Sequence, residues 1–413
     1  MSLPKANFSF IIPSIHDDLE LKCRLYYPRR TEQNAAQLFG KAFAIMAHPY
    51  APLGGSYDDP VVGMAGSVLL QNGCFLVTFN FRGASGSAGR TSWSGKAELA
   101  DYVSVYGFVL CYIDAICRTA PGDGRVSTKE SPLLILGGYS YGAMITSHLP
   151  PVDVVASLFE SLIPGSAQSE IKLRAMDLSR DGTAYVDLYM SRMTLSLPGI
   201  RGDPGEDVKK SRLGVTVGGY ESDAASRRAS RESTRKSIDG ERVRQSIERV
   251  RRKIHPRGGR SPDSETERHR TESAGLLVPA VAYVLISPLL PPVAGFTTMF
   301  SKLQFTRKGR EIDTPQEEYH ELTAHPCCCL FGSRDVFTSD RKLQRWAADL
   351  SSRPGSQFTA VRVDTGHFWH EDEGSVQLRQ GLAEWLKKLT PKSLSKDAQG
   401  PEKSSQSTSN DGI

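Results

Sequence analysis

Three short, strongly apolar runs restrict the folds that this chain can adopt. They are Ala42–Ala47, Cys74–Phe79 and Leu133–Leu136, and each carries apolar residues at odd and even positions alike. Such runs are typical of strands that are buried on both faces. Predicted helices over Asp58–Leu70 and Glu98–Ile116 separate them. The alternation predicts βαβ units, and therefore an α/β fold with a mostly parallel central sheet and helices on both of its faces.

The same kind of pattern occurs at the N-terminus and again after residue 275. The further strands are predicted at Phe8–Ile12, Leu19–Tyr27, Ala280–Ser287, Cys327–Phe331 and Phe358–Val363, and the further helices at Thr338–Leu350 and Gly374–Lys388. The stretch Gly275–Phe300 has no charged residue, so a membrane span competes with a buried strand there. Four prolines interrupt that stretch, and the apolar part between the first two has the length of a strand. We therefore expect a strand and no integral membrane span.

A polar, basic segment interrupts the α/β pattern. Between Lys209 and Arg270 the chain has 18 Lys or Arg against 9 Asp or Glu, whereas the rest has 33 against 37. Such a composition buries too little apolar surface to offset the entropy of ordering. We therefore predict one α/β domain in two parts, 1–164 and 275–390, around a disordered basic insertion at 165–274, followed by a disordered tail at 391–413. Because the positive charge belongs to one segment, it does not indicate nucleic-acid binding by the whole protein.

Three interpretations of this insertion remain. The first is a solvated loop with no further role. The second is a regulated segment, because Arg227-Arg228-Ala229-Ser230 suits a basic-directed kinase, and a phosphate there would weaken binding to an acidic partner. The third, a membrane-surface helix over Val243–Ile254, has a narrow apolar face without an aromatic residue, so we favour it least.

The seven cysteines form no CxxC pair, so they indicate neither a zinc site nor a disulfide framework. The first residues, Met1 to Asn7, lack the basic and apolar regions of a secretory signal. We therefore expect a cytoplasmic protein with reduced thiols.

The sharpest chemical signal is the pentapeptide from Gly138 to Gly142, with Ser140 at its centre. It directly follows a predicted buried strand and precedes a predicted helix, which is the context that a nucleophile elbow requires. Gly138 and Gly142 supply the small residues that the tight turn needs. The sequence therefore predicts Ser140 as a nucleophile, against the simpler interpretation of a structural turn with a bystander serine.

A serine nucleophile needs a base and an acid that orients the base. Of the nine histidines, His367 and His370 lie after the last predicted strand, and we favour His367 because it is nearer the strand end. Asp335 follows the predicted strand Cys327–Phe331 and is the expected acid. The competitor, Asp364, is too close in sequence to His367 to approach its ring from behind.

An oxyanion hole is predicted from two backbone amides. The loop His48-Pro49-Tyr50 ends a predicted strand, so the Tyr50 N–H can face the N–H of Tyr141, the residue after the nucleophile. His48 precedes the serine in the chain, and we interpret it as a loop-ordering residue.

Together these residues resemble the α/β-hydrolase superfamily, and most of all its small predicted hydrolases related to the serine aminopeptidase and dienelactone hydrolase-like groups. The matching segments, which lie within 8–160 and 278–390, are His48–Tyr50, Leu53–Asp59, Phe79–Gly83, Gly138–Gly142, Gly332–Asp335 and Gly366–Phe368. The resemblance implies a Ser-His-Asp hydrolase that acts on an ester, thioester or amide of a small-molecule acyl substrate. It implies no cofactor and no metal.

Two alternatives to simple hydrolysis remain open. The first is a catalytically silent scaffold that binds partners through its basic insertion, although such a protein has no need to keep serine, acid, histidine and both glycines. The second is a tailoring enzyme of small-molecule biosynthesis that uses the same triad for acyl transfer.

The predicted disorder of residues 165–274 can be tested by limited proteolysis. Trypsin at low ratio should cut first within this segment, because an unfolded stretch rich in Lys and Arg offers both access and cleavage sites. Mass spectrometry of the fragments would locate the cuts. A protease-resistant segment, or first cuts within 1–164, would contradict the prediction.

Overall fold

The computed structural model describes residues 2–28, 41–92, 94–119, 131–195, 275–290, 306–307, 310–311 and 319–389. The strands are β1 Phe8–Pro13, β2 Glu20–Tyr26, β3 Ala42–Ala47, β4 Phe75–Phe79, β5 Leu133–Tyr139, β6 Ala280–Ile286, β7 Thr306–Arg307, β8 Arg310–Glu311, β9 Cys327–Arg334 and β10 Phe358–Gly366. The helices are α1 Pro60–Gln71, α2 Lys96–Thr119, α3 Tyr141–Thr146, α4 Val152–Leu158, α5 Ala167–Leu195, α6 His320–Ala324, α7 Asp340–Ser352 and α8 Asp372–Lys388. Most of the predicted insertion and the predicted tail lie outside these residues.

Eight strands form one sheet in the order β1-β2-β4-β3-β5-β6-β9-β10, and β7 and β8 pair separately. In this sheet β1 and β2 pair antiparallel, as do β2 and β4. The other neighbours in the sheet order, from β4 through β3, β5, β6 and β9 to β10, all pair parallel. The predicted fold class is therefore confirmed: the chain has an α/β fold with a mostly parallel central sheet and helices on both of its faces. In such a sheet the carboxyl ends of the parallel strands meet at one edge, where ligand and catalytic groups gather.

The sheet separates two apolar cores, and β3 shows why its sequence has no polar position. Phe43 and Ile45 point into the core that contains α2, whereas Ala44 and Met46 point into the core that contains α1 and α8. Successive side chains of a strand alternate between faces, so a strand covered on both sides must be apolar throughout.

The longest apolar helix, α2, is long and apolar enough to cross a membrane by length and composition alone. However, 89% of its apolar window is buried inside the protein. It is therefore the central helix of one core. The uncharged stretch after residue 275 forms the buried strand β6, as predicted, as far as the described residues reach.

The prediction of disorder is wrong for the first part of the segment 165–274. Residues Ala167–Leu195 form α5, whose side chains Ile171, Ala175 and Leu178 are buried against the α2 core. The Tyr185 hydroxyl also donates to the Pro28 carbonyl at 2.7 Å. Segment composition misses this helix because only a few of its residues, such as Ile171, Ala175 and Leu178, are apolar and packed, while most of the others are polar or exposed.

A buried ion-pair network joins the β1–β2 turn, the loop after β4 and α2. The Arg82 guanidinium donates to Asp101 at 2.7 and 2.9 Å and to Asp17 at 3.0 and 3.1 Å. Ser14 donates to the same Asp101 carboxylate at 2.7 Å. The side chain of Asp101 is fully buried, whereas that of Asp17 is 42% exposed. The network therefore fixes the position of the backbone that follows β4.

Removing one charge from this network should destabilise the fold. The variant Asp101→Asn leaves the Arg82 guanidinium buried with only the exposed Asp17 as an ionic partner, so we expect a loss of about 3 kcal/mol in the free energy of unfolding. The control is Asp58→Asn, which breaks the exposed pair with Arg24 and should cost less than about 1 kcal/mol. Urea unfolding followed by circular dichroism measures both. Equal losses in the two variants would contradict the assignment.

Candidate active site

Ser140 lies between β5 and α3 with a backbone that few L-residues adopt. Its φ is 56° and its ψ is −114°, and its N–H donates to the Ile286 carbonyl of β6 at 2.8 Å. Conformations of this kind cost of order 1–3 kcal/mol and persist only where the surroundings enforce them. The turn directs the hydroxyl away from the sheet at the edge where the parallel strands end, as the elbow pattern predicts.

The two elbow glycines are required by close backbone contacts. A Cβ on Gly138 would lie 2.3 Å from the carbonyl carbon of Gly142, and a Cβ on Gly142 would lie 2.6 Å from the carbonyl oxygens of Ala47 and His48. Both distances are far below van der Waals contact. The start of α3 therefore packs directly on the end of β3, and any side chain at either glycine would separate them.

Ser140, His367 and Asp335 are brought together from the ends of three strands. The His367 Nε2 lies 2.8 Å from the Ser140 Oγ, and its Nδ1 lies 2.6 Å from the Asp335 Oδ2. Because a carboxylate only accepts, Nδ1 carries the proton and Nε2 is free to accept the Ser140 hydroxyl proton. The tautomer is thus the one that a general base needs.

The acid is held in place by its own loop, and the competing acid is not near the base. The second oxygen of Asp335 accepts from the amides of Phe337 at 2.8 Å and Thr338 at 3.0 Å. Asp364 instead accepts from Ser333 at 2.9 Å and pairs with Arg334 at 3.1 Å. Asp335 therefore takes the position behind the histidine ring.

His370, the other histidine considered, lies outside the hydrogen-bonded chain. It is exposed, and its ring stacks on that of Phe368 at 5.6 Å. His367, by contrast, is 2% exposed. The geometry therefore brings His367, not His370, to Ser140.

Two aromatic residues that the sequence analysis did not identify fix the loop that carries His367. The Tyr139 hydroxyl donates to the His367 carbonyl at 3.1 Å, and the Trp369 Nε1–H donates to the Ser287 Oγ at 3.0 Å. Trp369 has a φ of 55° and is buried. These two hydrogen bonds hold the loop against the ends of β5 and β6. No local sequence motif predicts either of them.

His48 orders the loop on the opposite side of the serine. Its Nε2 accepts from the Phe81 N–H at 2.9 Å, so its Nδ1 carries the proton and donates to the Pro49 carbonyl at 2.5 Å. Burial lowers the pKa of His48 to about 4, so the ring is neutral at neutral pH. These contacts agree with the loop-ordering role expected from the sequence.

The two amides predicted for the oxyanion hole belong to neighbouring segments. Tyr50 precedes a 3-10 turn at Ala51–Leu53, and Tyr141 is the first residue of α3. Their rings lie 5.1 Å apart between centroids. In the described part of the chain, neither amide donates a hydrogen bond to another backbone or side-chain group. Both N–H groups are therefore available to a ligand.

The donor set around Ser140 does not suit a metal ion. Within the described residues, no group of three or more His, Cys, Asp or Glu side chains is placed to hold one. The carboxylate of Asp335 is used by His367, and the other nearby carboxylate, Asp59, accepts from the Val61 and Val62 amides at the start of α1.

Comparison with known proteins gives remote structural similarity only. No protein-family model and no curated protein sequence matches the chain. A serine hydrolase homologue from Coxiella burnetii is 14% identical, with 93% of this chain and 99% of that chain covered and a TM-score of 0.43. A serine hydrolase from Xanthomonas campestris is 16% identical, with 95% and 98% covered and a TM-score of 0.44. An esterase from Pyrococcus furiosus is 10% identical, with 92% and 90% covered and a TM-score of 0.41. Because these TM-scores are below 0.5, the fold assignment rests on the strand order.

The Tyr139 hydroxyl can be tested as a positioning group for His367. The variant Tyr139→Phe removes the bond to the His367 carbonyl, and we expect the rate of Ser140 labelling by a fluorophosphonate probe to fall about 5- to 10-fold, the equivalent of one hydrogen bond. The matched control is Tyr102→Phe. This variant also removes a hydrogen bond of a buried tyrosine hydroxyl, in this case the bond to the Gly137 carbonyl of β5.

The pH dependence of the labelling rate in Tyr139→Phe and Tyr102→Phe distinguishes a positioning role of the Tyr139 hydroxyl from a general loss of stability. Tyr139→Phe should lower the plateau rate at high pH, whereas Tyr102→Phe should stay within about twofold of the parent. Thermal unfolding of both variants checks that they lose similar stability. Equal effects on labelling would contradict the positioning role.

Proposed function

We propose that this protein is a serine hydrolase that cleaves a carboxylic ester, thioester or amide through an acyl-enzyme intermediate. The observation that supports this most is the unbroken chain of hydrogen bonds from Asp335 through His367 to Ser140, at 2.6 and 2.8 Å. The strained elbow and its two obligatory glycines add independent support. A structural turn has no need of a histidine in the correct tautomer opposite its serine.

The first half of the proposed reaction forms the acyl-enzyme. The Ser140 Oγ attacks the carbonyl carbon of the substrate while its proton moves to the His367 Nε2. Asp335 holds the Nδ1 proton and stabilises the imidazolium that forms. The tetrahedral intermediate collapses when His367 passes the same proton to the leaving group.

The second half releases the acid. Water enters in place of the leaving group, gives a proton to the His367 Nε2 and attacks the acyl carbon. The second tetrahedral intermediate expels the Ser140 Oγ, which takes its proton back from His367. No cofactor or metal takes part in the proposed cycle.

The Tyr50 and Tyr141 amides are the proposed donors to the oxyanion of both intermediates. They lie on two segments that the Gly142 contact brings together, and both N–H groups are free to donate. Preorganised backbone donors of this kind contribute roughly 100- to 1,000-fold each to the rate. A substitution cannot remove a backbone N–H group. The role of the Tyr141 amide can instead be tested with Gly142→Ala, because the added Cβ would widen the turn and displace this amide.

The alternatives named above are less well supported. A silent scaffold would not be expected to hold the base in its working tautomer. An acyl-transfer enzyme would share every feature of the site, and would differ only in the nucleophile that enters during the second half. We propose hydrolysis because it requires water alone.

A cytoplasmic location is a further part of the proposal. All seven cysteines are free and six of them are buried. Unpaired thiols in this number suit a reducing compartment. Fractionation of cells that express a tagged chain would test it, and recovery in a secreted fraction would contradict it.

The experiment that tests the proposed function is labelling by a fluorophosphonate probe. The parent protein should label, and Ser140→Ala and His367→Ala should lose labelling and esterase activity toward p-nitrophenyl esters by at least about 1,000-fold. The matched control is His370→Ala, which removes a neighbouring imidazole outside the hydrogen-bonded chain and should label like the parent. A folded parent protein that does not label, or labelling that survives Ser140→Ala, would overturn the proposal.

A further inference from the structure

Large apolar side chains are exposed directly beside the loops of the site. Val336, which follows Asp335, is 75% exposed, and Phe368, which follows His367, is 50% exposed. Leu53, in the turn after Tyr50, is also 75% exposed. Ser140 and His367 themselves are only 6% and 2% exposed. We call the exposed apolar side chains on the loops that carry Asp335, His367 and Tyr50 the apolar rim.

The rim is aromatic where it surrounds the base. The ring of Phe337 lies 4.6 Å from that of His367 at 67°, and the ring of Phe368 lies 5.4 Å from it at 84°. Phe337 and Phe368 also contact each other edge-to-face at 5.9 Å. The Tyr139 ring also lies near the base, with its centroid 5.6 Å from that of His367, but this ring is buried. Of the rings that pack on the imidazole, those of the two phenylalanines are therefore the ones that reach solvent.

The chemistry of the proposed reaction decides which part of a substrate meets these rings. His367 must give its proton to the leaving-group oxygen, so that oxygen lies within hydrogen-bond distance of Nε2 in the transition state. A leaving group held there would lie beside the rings that pack on the imidazole, and of these Tyr139 is buried whereas Phe368 is half exposed. A leaving group that extends toward solvent would therefore meet Phe337 and Phe368.

The charges near this rim are already paired. Arg334 pairs with Asp364 at 3.1 Å and with Glu371 at 3.2 Å. Asp59 is used as the cap of α1. Among the described residues, therefore, the groups around the aromatic pair favour an uncharged leaving group over an ionic one.

We propose that Phe337 and Phe368 form a leaving-group subsite, and that the natural substrate is an ester of an aromatic or similarly flat, apolar alcohol. This inference rests on the proposed function and adds its substrate class. Edge-to-face and stacked contacts of the aromatic leaving group with the two rings supply the preference. The exposed half of Phe368 is the surface that the leaving group covers.

The test compares benzyl and ethyl butyrate, whose alcohols have similar acidity but differ in their ability to contact the rings. For the parent protein, kcat/KM should be at least about tenfold higher for the benzyl ester. Phe368→Ala should lower the benzyl-to-ethyl ratio of kcat/KM about 5- to 10-fold, because only the benzyl group can contact the lost ring. Phe368→Leu, which keeps an apolar side chain without the ring, should fall in between.

Controls separate the subsite from folding and from the proposed function itself. Leu173→Ala truncates a side chain on α5 that is similarly exposed, at 67%, and should leave the benzyl-to-ethyl ratio unchanged. Thermal unfolding followed by circular dichroism checks that the Phe368 variants fold. A ratio near one in the parent, or a ratio unchanged by Phe368→Ala, would overturn the subsite while leaving the hydrolase intact. If the parent protein cleaves neither ester and Ser140 is not labelled, the proposed hydrolase function itself is overturned.

Discussion

The site depends on one close contact between backbones, where the first turn of α3 rests on the end of β3. Only glycine at 138 and 142 allows this approach, because a Cβ at either would overlap backbone atoms. The contact forces the unusual φ of Ser140, which in turn raises its hydroxyl toward His367. It also brings the Tyr141 amide next to the loop of Tyr50. The proposed nucleophile and the proposed oxyanion donors thus depend on the same packing constraint.

The elbow is supported from both sides by groups that touch no substrate. On one side, Arg82 and its two buried or half-buried carboxylates fix the backbone after β4, from which the Phe81 amide orients His48. On the other side, Tyr139 and Trp369 tie the histidine loop to the neighbouring strand ends. Precision of this kind matters because displacement of a catalytic group by about 1 Å can lower a rate about 100-fold. The rigidity of the site is therefore built into the scaffold.

Much of this arrangement could be predicted from sequence because it follows from local rules. Apolar runs on both faces gave the parallel strands, the two glycines gave the elbow, and position at strand ends distinguished His367 and Asp335. The hydrogen bonds of Tyr139 and Trp369 could not be predicted, since each joins residues more than 80 positions apart in the chain. The helix α5 was missed for a related reason. Its composition is that of a polar segment, and only its packing partner α2 makes it stable.

The left-handed backbone at Ser140 also limits how this chemistry can change by substitution. A threonine would place a second substituent on Cβ, and β-branched residues are disfavoured at positive φ. A secondary alcohol is therefore excluded from this position by conformation, independent of its reactivity. Cysteine and aspartate have the same single substituent on Cβ as serine, and both can act as nucleophiles. The backbone of the elbow therefore leaves a thiolate or a carboxylate open as an alternative nucleophile at this position and disfavours threonine.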